Sequence, residues 1–117
     1  MKLQTSLFEI TLQGNIGTKS SHNHEDWKSR LESKLQSIPS SLTKDRRLSV
    51  TIQVWISADR LHGFGKNDVD NIAKTTLDSI TRSGLIRDDS IIYELHVTKY
   101  ATDGPEQMIL SAQEWIC

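Results

Sequence analysis

The sequence predicts a single α+β domain, a mixed sheet packed against helices, with its elements in the order β-α-β-α-β-β over residues 1–117. Three observations predict it. Segments 6–13 and 47–58 alternate apolar and polar residues with the period of a half-buried strand. Segments 23–38 and 69–83 instead repeat apolar residues every three or four positions, the period of an amphipathic helix. Turn-forming residues separate these segments, and 117 residues suffice for one hydrophobic core but not two.

In the first segment Phe8, Ile10 and Leu12 share one face, with Leu7, Glu9 and Thr11 on the other. The polar, glycine-bearing run Gly14-Asn15-Ile16-Gly17-Thr18-Lys19-Ser20-Ser21 reads as a loop. Asn23 followed by Asp26 suits a helix start, and Trp27, Leu31, Leu35 and Ile38 then form one stripe, with the lysines and Arg30 expected off it. Pro39-Ser40-Ser41 ends that helix. The second strand places Leu48, Val50, Ile52, Val54 and Ile56 on one face and turns Trp55 away, toward a second packed layer or a dimer contact. Gly84 suits the end of the second helix. A strand over 90–100 is expected to put Ile91, Tyr93, Leu95 and Val97 on one face, with Glu94 and His96 sharing the other in structural roles. Gly104-Pro105 makes a turn, and 107–112 reads as a last strand hairpinned to the one before it.

Composition sets broad bounds. A hydrophobic fraction of 36% with 25% charged residues is ordinary for a globular protein. Net charge is −1, but setting aside Asp68, Asp70, Asp88 and Asp89 from the 15 acidic residues leaves 11 against 14 basic ones. A metal-loaded protein would therefore be mildly basic, and nucleic acid stays open as a substrate. The one cysteine, Cys117, has no partner, so neither a disulfide framework nor a zinc site is expected. The first residues lack the apolar run of a signal peptide and no membrane span is present, so the expected location is cytoplasmic.

The chemistry concentrates between residues 68 and 89. Asp68, Asp70, Asp78, Asp88 and Asp89 crowd there with one lysine, Lys74. Crowded carboxylates repel unless a cation lies between them, and a hard divalent ion such as Mg²⁺ prefers oxygen ligands. A lysine one turn behind them suits an anionic substrate such as a phosphodiester. Asp70, Lys74 and Asp78 recur every four residues as one polar strip, while Ile72, Ala73, Thr76, Leu77 and Ile80 face the sheet. The strip also fits a solvated salt-bridge ladder with acids favoured at the helix start. A nucleotide-sugar site of the Asp-x-Asp type is a further reading, but it needs a nucleotide-binding α/β unit for which the chain has little room.

The run Asn67-Asp68-Val69-Asp70-Asn71-Ile72-x-Lys74-x-x-Leu77-Asp78-x-Ile80, then Gly84-Leu85-Ile86-x-Asp88-Asp89-x-x-Ile92, then Glu94-Leu95-x-Val97-x-Lys99, resembles the RusA-type Holliday-junction resolvases. The likeness is dense over 67–99 and only general over 1–60, where Gly14-Asn15-Ile16-Gly17 replaces the family's proline- and asparagine-containing opening. The resemblance implies a RusA-like endonuclease domain over 1–117: a Mg²⁺-dependent endodeoxyribonuclease, with Mn²⁺ as a substitute, that resolves four-way (Holliday) junctions as a homodimer. It implies metal binding by Asp68, Asp70 and Asp89 and a catalytic role for Lys74, with Asn71, Asp78 and Asp88 supporting. Branched DNA is the expected partner, with no membrane and no organic cofactor. The alternative within the same fold is a catalytically inactive protein that binds DNA structure. Arg60, His62, Phe64 and Lys66 form a cationic, aromatic-bearing loop beside the acids, either a solvated loop or one that grips phosphates and wedges Phe64 among bases. His22-Asn23-His24 reads as a helix entry.

Overall fold

The computed structural model describes residues 6–18, 23–61 and 68–116. The elements follow the expected order: β1 (Ser6–Gln13), α1 (His24–Gln36), β2 (Leu48–Ser57), α2 (Val69–Arg82), β3 (Ile92–Thr102) and β4 (Gln107–Glu114). Single 3₁₀ turns lie at Ser40–Leu42, Ala58–Arg60 and Asp89–Ile91. No helix among the described residues is long and apolar enough to cross a membrane.

The sheet is mixed, with strand order β1-β4-β2-β3. β4 pairs antiparallel with both β1 and β2, and β3 runs parallel to β2 at the edge. The expected β3–β4 hairpin is therefore absent, because the chain steps over the end of β2 between these two strands. Burial explains the choice. Met108, Leu110 and Ala112 of β4 are buried, as central positions require, whereas β3 carries Glu94, His96 and Lys99, which an edge tolerates.

Register fixes the faces. Val50 lies between Leu95 and Ala112, and Ile52 between Val97 and Leu110, so these residues share the face that the helices cover. Leu48, Val50, Ile52, Val54 and Ile56 are all buried there, against Trp27, Leu31 and Leu35 of α1 and Ile72 and Ile80 of α2. Trp55 lies on the opposite face and stacks on Tyr100, ring centroids 5.0 Å apart. The face expected for β3 holds only for Leu95 and Val97. Ile91 belongs to the preceding turn, and a register shift beside Leu48 releases Tyr93 to pack on Trp115 at 5.1 Å.

Local chemistry sets the helix ends. Asn23 occupies the cap position of α1, but its side chain donates to the Asn15 carbonyl at 2.7 Å and so ties the loop after β1 to the helix. Gly17 permits this approach, since a Cβ there would lie 2.8 Å from both the Asn23 carbonyl oxygen and Trp27 Cβ. Gly84 follows α2 at φ +86°, a conformation that suits glycine and stops the helix where the sequence placed its end.

Candidate active site

Asp68 begins the site. Its backbone is extended (φ −74°, ψ 161°) and its Oδ1 accepts the Asn71 amide hydrogen at 2.9 Å. It is thus the N-cap of α2, satisfying a donor that the first turn cannot. Its Oδ2 takes no hydrogen bond among the described residues and stays available to a cation. Asp70, in the first turn, is exposed at the helix end that favours negative charge. It pairs with Lys74 Nζ at 3.2 Å, both side chains about 70% exposed. Such a pair contributes only ~0.3–0.5 kcal/mol, so either group exchanges its partner readily.

Asp78 lies farther along the same strip but has other partners. It is bound by Lys28 of α1 and approached by Arg82 Nη1 at 3.9 Å. The Lys28 hydrogen bond, against some desolvation, holds the Asp78 carboxyl below its ordinary value. The strip predicted along α2 is therefore divided: Asp70 and Lys74 serve the helix start, and Asp78 joins the two helices. Asn71 lies between, half-buried.

Asp88 and Asp89 stand at the other end of the molecule. β2 and β3 are parallel, with Leu48 opposite Ile92, so the acids just before β3 lie at the beginning of β2. The end of α2 is held there too, for the Thr43 hydroxyl donates to the Leu85 carbonyl at 2.6 Å. The start of α2 lies instead beside the N-terminal turn of α1, near the end of β1. The 14 residues of α2 separate the acidic pairs by about 20 Å at 1.5 Å per residue. Among the described residues no three His, Cys, Asp or Glu side chains converge to hold a metal ion. Asp88 and Asp89 are both exposed, and the Ser90 hydroxyl, opposed in part by desolvation, lowers the Asp88 pKa.

Of the expected DNA-contacting loop, Arg60 is described, whereas His62, Phe64 and Lys66 lie outside the described residues. The Arg60 guanidinium donates to Glu106 through Nη1 and to the Ile16 carbonyl through Nη2 at 2.6 Å. Glu106 is 4% exposed and also accepts from the amides of Ile16 (3.0 Å) and Ser57 (2.8 Å). This carboxylate closes the end of β2 where the chain crosses from β3 to β4, and fixes the turn that leads toward Asp68.

Two residues of consequence escape sequence reading. Glu106 follows Gly104-Pro105 and looks like any turn acid. Lys28 was expected off the apolar stripe but is 5% exposed, a correction with a geometric cause. It lies three residues before Leu31 and seven before Leu35, on the inner sector of α1, and Asp78 offsets its charge. The i, i+3, i+7 spacing is a signal for the first fact; only the fold reveals the second.

A family model described as Endodeoxyribonuclease RusA matches residues 9–109, a stretch containing both acidic pairs and Lys74. The crossover junction endodeoxyribonuclease RusA of Aquifex aeolicus (strain VF5) is 32% identical over 66 residues, which is 56% of this chain and 48% of that relative. The matched stretch thus spans about half the length of that curated relative. On the extent of the family match, the chain belongs to the RusA endodeoxyribonuclease family.

Proposed function

We propose that this chain is a divalent-metal-dependent endodeoxyribonuclease that cuts four-way DNA junctions as a homodimer. Each metal site is assembled from Asp68 and Asp70 of one copy and Asp89 of the partner subunit. The observation that carries this reading is the placement of the two acidic pairs at opposite ends of α2 in a chain of the RusA family. A two-fold axis beside α2 sets the start of one helix against the far end of the other. The partner surface we assign is the edge of β3. Among the described residues it has no strand beyond it, and Tyr93, Leu95 and Tyr100 on that strand are three of the five exposed large apolar side chains described. An 11-residue edge strand with such residues is a liability unless covered.

The carboxylates fit a hard cation such as Mg²⁺, or Mn²⁺ in its place, because all are exposed oxygen donors and Asp68 keeps one oxygen uncommitted. Bound there, the ion would polarise a phosphodiester and lower the pKa of a water. Lys74 leaves Asp70 and donates to a non-bridging phosphate oxygen, balancing its negative charge as water attacks the phosphorus. Asp68 and Asp70 hold their geometry through the N-cap and the first turn of α2, rigid backbone instead of loop. Asp88, the residue before the Asp89–Ile91 turn, supports its neighbour.

Mixing two dead variants tests the assembly. Asp70→Asn and Asp89→Asn proteins are each expected to be inactive in Mg²⁺. A heterodimer of the two carries both lesions in one site and none in the other. On random pairing about one quarter of all sites is restored, read as nicking of a labelled junction. A verified heterodimer that still cuts nothing sinks the shared-site arrangement. Lys74→Ala is expected to fold normally and to slow single-turnover cleavage by roughly 10²–10³-fold, as loss of a preorganised donor does. An unchanged rate would return Lys74 to the role of a surface ion-pair partner.

A further inference from the structure

We propose that the cleft between α1 and α2 is a second phosphate site, which holds a DNA backbone phosphate other than the one cut, with Lys28 as its buried cation. The proposal rests on the DNA-cutting reading above and extends it to how the strand is held. The cleft has a volume of about 300 Å³ and is lined by His24, Lys28, Asn71, Lys74, Thr75 and Asp78. It adjoins the acidic end of α2 through Lys74, which touches both.

Donor chemistry carries the argument. An ammonium has three N–H donors and no acceptor. Lys28 is 5% exposed, yet among the described residues its ammonium hydrogen-bonds a single acceptor, Asp78 Oδ2. Two donors of a nearly buried charge are thus left for the cleft, whose other polar groups are the donor-only Lys74 ammonium and the Asn71 amide and Thr75 hydroxyl, which can donate as well as accept. The His24 ring lines the cleft as well, with its Nδ1 3.6 Å from the Glu25 carboxylate. Asp78 is the one carboxylate, and it is shared with Arg82. A concavity lined by two ammonium groups against one carboxylate matches a ligand that only accepts, and a phosphodiester oxygen does only that.

The test uses the full chain, a fluorescent four-way junction and EDTA, so that binding is read without cleavage. Log affinity is measured against log salt concentration. Each phosphate neutralised adds about 0.9 to the slope. Lys28→Met, which fills the same space, is expected to weaken binding and to flatten the slope by about 1. Lys28→Arg should keep the slope, and Lys34→Met, which removes an equal charge at the far end of α1, should keep it as well. Asp78→Asn breaks the same ion pair from the other side but is expected to tighten binding, since it removes the cleft's negative charge. If Lys28→Met and Asp78→Asn weaken binding alike with the wild-type slope, the pair is a strut and the phosphate site is overturned. A second arm separates this from failure of the functional reading. Thermal melting in inorganic phosphate against chloride at matched ionic strength should show protection of the wild type and none of Lys28→Met. Protection without any junction binding would leave the cleft standing and reject the junction; neither effect would reject the cleft.

Discussion

Asp70→Asn protein is expected to bind a four-way junction in EDTA at least as tightly as the wild type, and to leave it uncut in Mg²⁺. The two halves of this result come from one charge. With metal present, the Asp70 carboxylate supplies negative charge and an oxygen ligand, and an amide supplies no such charge. Without metal, Asp68 and Asp70 confront a phosphate bare, and each close like-charge pair costs about 1 kcal/mol even at the dielectric constant of water. Removing one charge relieves that repulsion and also releases Lys74 from its 3.2 Å partner. Stability should change little, because Asp70 is exposed and an acid in a first turn contributes ~0.3–1 kcal/mol. Asp103→Asn, in the exposed turn after β3, is the control and should alter neither property. Cleavage by Asp70→Asn at the wild-type rate, or equal damage from Asp103→Asn, would show that the acidic helix start is not the active site. A wild type that binds the junction but never cuts it would leave the inactive, structure-binding form of the fold.

Glu106→Ala is expected to be the most destabilising single change away from the apolar core. The substitution strands the Ile16 and Ser57 amides and removes the carboxylate that faces the Arg60 guanidinium, at a position almost closed to water. Breaking a buried charge pair from one side costs roughly 3–5 kcal/mol, a large share of the ~5–15 kcal/mol that holds a domain together. Glu106→Gln keeps an acceptor but gives up the charge, and should cost less than half as much. Urea melts of the three proteins decide the matter; a loss below about 1 kcal/mol for Glu106→Ala would mean that water replaces the carboxylate without penalty. Since Arg60 is part of this network, the junction affinity of any Arg60 variant should be compared at matched fractions of folded protein.

Much of the fold was legible because its signals are local. β1, β2 and both helices follow from periodicity, and Gly84 and Asp68 mark the ends of α2 by their own conformational preferences. Strand neighbours were not legible. Whether β4 pairs with β3 or passes over β2 depends on which strand can be buried on both sides, a comparison across the whole sheet. The helix start of the site, Asp68, Asn71 and Lys74, was readable from spacing for the same local reason. The partition of Asp78 to Lys28, and of Asp89 to the opposite end, was not, since both depend on the course of the chain between distant elements. Glu106 shows the limit most plainly: nothing beside it in sequence hints that three separate segments converge on its carboxylate.

The length of α2 has a consequence for the geometry of cutting. In the proposed dimer, one active site contains the start of a given α2 and the other contains the acids just past its end. The axis of that helix therefore runs from one cut to the other, and α2 acts as a gauge block between them. At about 20 Å it spans a little more than half of the roughly 34–36 Å helical repeat of DNA. A hydrogen-bonded helix packed on a sheet resists stretching far better than a loop would. In that proposed dimer the distance between paired nicks is set by 14 residues of one element.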